Sequence, residues 1–254
     1  MSKRADYVTK LDGVDDIPSF LREHSGLPGP RGDLELVQAA ADIGGESDFR
    51  EWIALGSPGE AASACATDEF LVVCGVVGLG RLVAEDRADL VPELRHHAAD
   101  PRWRVREGVA MALQRVGEAD PQRLFGIVSG WTDDRPYVLR AVIAAVAEPR
   151  LLKTPDAAAE AVGMVDRVMT RYLASSDRRS EESRTLRQAL GYCWSVVTVA
   201  DPARGRTRLE HWAASPDPDA RWIVRANLKK ARLVRLDPAW TASMGSLMAA
   251  RPNV

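Results

Sequence analysis

The residues best suited to do chemistry lie near the C-terminal end, in the segment HWAASPDPDARWIVRANLKKAR. Placed on a single helix, Arg221, Arg225, Lys229 and Arg232 recur at i, i+4, i+8 and i+11 and fall along one face. Trp222 lies beside that stripe, and Arg187 would join it from a neighbouring helix. Cations in such a row can neutralise successive phosphates of a polyanion. The competing use is structural, with Arg187 and Arg225 engaged by acids at nearby turns and the others on a solvated helix face.

Other reactive side chains point to less. His96 and His97 are adjacent, so they leave a helix on different sides and cannot form the i, i+4 pair of a metal helix; with His24 and His211 they read as surface or cap residues. Cys65, Cys74 and Cys193 are too widely spaced for a CxxC motif or a disulfide framework. Cys74 and Cys193 sit in apolar runs and read as small core hydrophobes. Cys65 falls in a loop with no basic neighbour to activate it. GVVGLG (Gly75–Gly80) has no preceding strand, which favours close helix packing over phosphate binding. No metal or cofactor is expected. Of the seven Trp residues, Trp103 and Trp222, each just after a turn and flanked by Arg, are the candidate contact residues.

The elements that must position these groups are helices. Five times an acid opens an apolar helix, and in four cases an Arg follows six positions later: Asp100/Arg106, Asp134/Arg140, Glu181/Arg187 and Asp219/Arg225. In the fifth, starting at Asp68, Cys74 holds the Arg position. The Arg positions are 34, 47 and 38 residues apart, the range of a helical-pair repeat. The periodicity predicts an N-terminal helix around Ile17–Glu23, a break at GLPGPRGD, and a helix over Leu34–Ile43 with Asp33 as its N-cap. Helical pairs follow: Asp48–Leu55 with Asp68–Val83, Leu90–His97 with Trp103–Val116, Pro121–Trp131 with Pro136–Ala147, Asp156–Ala174 with Glu181–Val199, and Arg204–Ala214 with Asp219–Leu233. The loop GSPGEAASACAT joins the first pair, and the tail after Asp237 caps the array or frays.

WTDDRPYVLRAVIAAV and ADPRWRVREGVAMAL resemble HEAT repeats, with an Asp-containing turn, a Val/Leu–Arg pair and an Ala-rich second helix. The resemblance covers about residues 46–235. It implies an all-α fold, a right-handed α–α superhelix of about five helical pairs, in which inner helices line a concave face and Asp and Arg of successive repeats form a ladder. Residues 1–45 would be a helical cap with the Pro/Gly loop, and 236–254 a tail or short capping helix. The last repeat also resembles, more weakly, HEAT-like DNA alkylation-repair glycosylases of the AlkD type. Trp212, Ser215, Asp217, Trp222, Arg225 and Ala226 approximate their W-x-x-S-D…W-x-x-R-A pattern, with two extra residues in the turn. That resemblance implies a Trp–Asp constellation around a damaged nucleotide. Trp131 with Asp133 or Asp134 is the nearest pair here, although the family's Trp-Trp-Asp run is absent and the ladder already claims Asp134.

Composition narrows the classes. The net charge of −2 divides unevenly: residues 1–100 carry nine Lys/Arg against nineteen Asp/Glu, and residues 101–254 carry twenty-five against seventeen. No stretch reaches about 18 consecutive apolar residues, so no membrane span is expected. The N-terminus is too polar for a secretory signal, and a reducing cytoplasm is the expected setting. The expected function is a non-catalytic scaffold that binds a macromolecular partner on its concave face, protein before nucleic acid. The alternative is a DNA-binding protein or a glycosylase excising alkylated bases.

Overall fold

Most helices begin where a short polar side chain meets an apolar run, because such a side chain can satisfy the free N–H groups of the first turn. Asp16 accepts from Ser19 N, Asp33 from Glu35 N and Leu36 N, Thr154 from Ala157 N, and Ser180 from Ser183 N. Asp201 and Asp217 do the same for Arg204 N and for Asp219 N and Ala220 N. Proline stands in the first turn of several of these helices, where its missing N–H costs nothing.

The computed structural model describes residues 2–57 and 65–249, and no strand occurs among them. Most of the loop GSPGEAASACAT and the last five residues of the tail lie outside the described residues. The protein is all-α, and it divides into two compact units, Met1–Asp120 and Pro121–Val254.

The first unit holds α1 (Lys3–Leu11), α2 (Ile17–His24), α3 (Leu34–Ile43), α4 (Glu46–Leu55), α5 (Ala66–Ala84), α6 (Val91–His97) and α7 (Trp103–Ala119). α5 is its axis, buried almost throughout and packed by α2, α3, α4, α6 and α7. The glycines of GVVGLG allow that crowding. A Cβ on Gly78 would sit 2.3 Å from the Phe49 ring of α4, and one on Gly80 would sit 2.4 Å from the Ala112 Cα of α7. Gly80→Ala is therefore expected to destabilise this unit by about 2 kcal/mol through overpacking, read as a lower urea midpoint.

Two expectations are corrected here. α1 was not foreseen, because MSKRADYVTK is too polar to show an apolar stripe. It docks through polar contacts instead: Arg4 pairs with both oxygens of Asp42 at 2.7 Å, and the Tyr7 hydroxyl donates to Asp33 at 2.8 Å. His97, expected as a surface or cap residue, is buried near the end of α6, since its helical position turns it inward while His96 faces out.

Burial pushes the His97 imidazole pKa down, with the neighbouring His96 adding to the effect. Asp33, Asp42 and Asp100 also titrate below the usual carboxylate range; burial opposes the shift, and Lys3 and Tyr7, Arg4 and Arg115, and Arg102 respectively outweigh it. All four groups bind protons more weakly when folded. Their stabilisation is present above the unfolded values and is lost as pH falls, first below about 6.5 for His97 and then below about 4 for the carboxylates. Thermal melts from pH 8 to 3 should show this two-stage loss, and His97→Phe should flatten the upper stage.

The second unit holds α8 (Pro121–Ser129), α9 (Pro136–Val146), α10 (Pro155–Ala174), α11 (Glu181–Ala200), α12 (Pro202–Ala214), α13 (Pro218–Leu228), α14 (Ala231–Leu236) and α15 (Pro238–Ala249). α11 packs against both α9 and α13, with α10 and α12 also against it. The extra length between Arg140 and Arg187 is taken up by helix, since α10 and α11 run to 20 residues each.

Asn227 ties α13 to α11. Fully enclosed, it donates to Leu190 O at 2.9 Å and Ile223 O at 2.8 Å, and its carbonyl accepts from Ser195 N at 2.8 Å. Just beyond it the predicted helix Asp219–Leu233 breaks. α13 ends at Leu228, and Lys230 adopts extended backbone (φ −78°, ψ 125°) before α14 begins. The turn lets Leu233 bury completely, with α14 lying against α11, α13 and α15.

Candidate macromolecule-binding face

Acids at the helix starts are engaged, and they hold basic and aromatic groups in place. In the second unit Asp219 forms an ion pair with Arg187 Nε at 2.8 Å and with Arg178 at 3.3 Å, and accepts from the Tyr172 hydroxyl at 3.1 Å. Arg178 also donates to Asp217 at 2.7 Å. Burial and the adjacent Asp219 push the Tyr172 phenol well up, so it stays a donor. The Arg187 guanidinium then lies 3.9 Å from the centroid of the Trp222 ring. Asp219–Arg187 thus links the start of α13 to α11. Further links join α9 and α11, where the Tyr137 hydroxyl donates to Glu181 at 3.2 Å and Arg135 pairs with Glu182. In the first unit Arg106 donates to the carbonyl oxygens of Asp100 and Pro101. Asp219→Ala would strip acceptors from Tyr172, Arg178 and Arg187 together. It should cost about 2 kcal/mol, less than a fully buried pair because solvent reaches the site, and a lower urea midpoint would record it.

Outward from this network, α11 exposes Arg184, Gln188, Tyr192 and Val199 along one face. Tyr192 is 45% exposed and Val199 40%. The Tyr192 ring lies between two cations, with the Lys230 ammonium 5.4 Å and the Arg232 guanidinium 4.8 Å from its centroid. Arg232 also donates to the Tyr192 hydroxyl. Each cation is attracted to the ring quadrupole, and the extended backbone at Lys230 sets both side chains against it. Arg235 is one turn beyond Arg232 on α14 and exposed. Among the described residues, none of Arg184, Lys229, Lys230, Arg232 and Arg235 has a carboxylate within ion-pair distance. From Ala220 to Leu236 the chain holds six basic residues and no acidic one.

The structure therefore redistributes the predicted stripe. Arg221, Arg225, Lys229 and Arg232 do not share one helix face, because the break at Lys229–Lys230 redirects the chain. Arg221 is only 8% exposed, Lys229 is exposed at the end of α13, and Arg232 belongs to α14 beside Tyr192. Arg187 and Trp222 do come together, as a stacked pair anchored by Asp219.

The alternative trio fares differently. Trp131 is 3% exposed and offers no ring face to a nucleotide; Asp133 is exposed, and Asp134 accepts from Arg135 N at 2.7 Å. Trp103 stands out in the first unit at 53% exposure, with the Arg104 guanidinium 4.5 Å from its ring centroid.

Tyr192 and Lys230 were missed by the sequence reading. Tyr192 is set within the apolar run LGYCWSVV and reads as core. Its one signal is the i+4, i+8 register from the polar residues Arg184 and Gln188.

Cys65 caps α5 with an exposed thiol, which a 3.1 Å contact to the Thr67 hydroxyl and backbone hydrogen bonding hold below its ordinary pKa. Cys74 and Cys193 are buried. Among the described residues no three or more His, Cys, Asp or Glu side chains group as metal ligands, and no helix is long and apolar enough to cross a membrane. Compared with protein-family models, curated proteins and solved structures, the chain finds no significant match.

Proposed function

We propose that the chain is a non-catalytic interaction scaffold of the HEAT type, a right-handed α–α superhelix of about five helical pairs. In this reading the face built by α11 and α14 binds an acidic, amphipathic segment of a partner protein. The observation that carries it is the exposed Tyr192 ring held between Lys230 and Arg232, among cations that no carboxylate of the described chain neutralises. Aromatic and cationic groups of this kind are enriched at the centres of protein interfaces. Val199, two turns from Tyr192, adds apolar surface that a purely electrostatic phosphate grip would not need. The three free cysteines suit a cytoplasmic setting.

DNA is the second reading, supported by the same cations. Against it, residues 1–120 carry thirteen Lys/Arg and twenty-two Asp/Glu, which repels a long polyanion. Many basic residues of the second unit are also spent in ion pairs, among them Arg178, Arg187, Arg204 and Arg206. The glycosylase form of the DNA reading loses its aromatic group with the burial of Trp131.

The test is fluorescence anisotropy with a labelled 20-residue peptide of alternating Glu and Leu pairs, against a Gln-for-Glu control. The acidic peptide is expected to bind and the control not to bind. Equal binding of both peptides, or of neither, would remove the proposal.

A further inference from the structure

α1 is a basic helix docked on two acids of α3, and both acids have a second partner in the first unit. Lys3 Nζ lies 2.8 Å from Asp33 Oδ2, which also accepts from the Tyr7 hydroxyl. Arg4 donates to both oxygens of Asp42. Tyr7 and Leu11 are the buried side chains of α1. The helix thus presents a register to α3: two cations, an aromatic ring one turn on, and an apolar residue one turn after that.

The acids of this seat are held without α1. Asp33 Oδ1 caps α3 by accepting from Glu35 N and Leu36 N at 3.2 and 3.3 Å. Asp42 forms an ion pair with Arg115 of α7, which also donates to Gln38 Oε1 at 2.7 Å. Departure of α1 therefore leaves neither carboxylate without a partner. The surrounding charges still call for a cation. Glu35 favours the charge on both Lys3 and Arg4, and Glu118 of α7 favours that on Arg4. Arg115 is engaged as described, and Arg81 donates to Ala41 O, Gly44 O and Glu85. Residues 12–120 carry ten Lys/Arg against twenty-one Asp/Glu, whereas α1 carries three against one. The Lys3 and Arg4 side chains are 61% and 40% exposed, so salt screens the attraction that holds them.

We propose that α1 is a displaceable occupant of this seat, and that a basic amphipathic helix of another protein, in the same register, docks on α3 in its place. Residues 12–16 (DGVDD) tether α1 at an effective concentration on the order of millimolar. A competing helix must therefore fit the seat better than α1 does, and the two exclude one another. The seat uses no residue of α11 or α14, so it stands independently of the partner face proposed above.

Fluorescence anisotropy on the full chain tests it, with a labelled peptide of residues 2–14 as the probe. Wild type is expected to bind the peptide weakly, since its own α1 fills the seat. Lys3→Gln with Arg4→Gln in the chain loosens the resident helix and should tighten peptide binding by at least about tenfold. A peptide carrying the same two substitutions should bind that variant at least about tenfold less tightly than the original peptide. An Ala/Gln peptide of the same length, carrying only Lys–Arg, Tyr and Leu in the α1 register, should compete with the probe. Amides of α1 should exchange at least about fivefold faster at 500 mM than at 50 mM NaCl, with those of α5 unchanged. The proposal is overturned if the probe binds wild type and variant alike, if the substituted peptide binds as well as the original, or if the Ala/Gln peptide does not compete. Salt-independent exchange of α1 overturns it equally. A wild-type dimer whose α1 protection falls on dilution would instead assign the seat to the α1 of a second copy.

Discussion

Asn227→Ala is expected to destabilise the second unit by about 3 to 4 kcal/mol, the largest stability effect of any single polar substitution considered. The side chain is fully enclosed and makes three hydrogen bonds. Two of them satisfy backbone groups of the neighbouring helix, Leu190 O and Ser195 N. Alanine removes all three hydrogen bonds from an enclosed site and adds a small void. Asn227→Asp keeps the acceptor for Ser195 N, loses both donors and buries a charge, so it should do no better. Urea unfolding gives the stability. Amide exchange at Ser195 gives the cause, since that N–H should lose protection before the rest of α11. The consequence reaches the surface, because Asn227 lies three residues before Lys230 and ties the end of α13 to α11. A variant that folds with α13 displaced should lose peptide binding although no residue of the binding face has changed.

Tyr192→Ala combined with Arg232→Ala is expected to weaken binding of the acidic peptide by at least about 30-fold, the scale of a central hot spot of about 2 kcal/mol. The two residues form one unit. Arg232 donates to the phenol and lies over the ring, so removing either leaves the other less ordered. The single variants should therefore lose more, summed, than the double variant loses. Tyr192→Phe separates the contributions: it keeps the ring between Lys230 and Arg232 and removes only the acceptor for Arg232. It should retain most of the binding. Stability should change little in all of these variants, since Tyr192 is exposed and Arg232 partly so.

Much of the helical order was legible because its signals are local. Asp33 announces a helix start by a polar side chain ahead of the apolar run LELVQAAADI, and the structure finds it capping. The glycines of α5 announced close packing by lying in a run with no preceding strand. What escaped the sequence depends on tertiary context. α1 is held by Arg4 and Tyr7 reaching acids 38 and 26 residues away, contacts with no periodic signature. KKARLVR continues the helical pattern of α13 without interruption. The break there follows from the burial of Leu233 against another element, not from a glycine or proline. Arg221 and Tyr192 then exchange their expected places: the arginine is enclosed, and the aromatic ring within an apolar run is outside. Side-chain type predicts exposure on average, and at both positions the packing around α11 and α13 decides otherwise.

The most direct test is a paired titration of the full chain with the acidic amphipathic peptide and with a 20-base-pair DNA duplex, each at 50 and 200 mM salt. An acidic protein segment should bind more tightly than the duplex at both salts. Its affinity should fall only a few-fold between them, because Tyr192 and Val199 contribute apolar contact that salt does not screen. Duplex binding that exceeds peptide binding, with a steep salt dependence of several decades, would assign the face to phosphates and contradict the account.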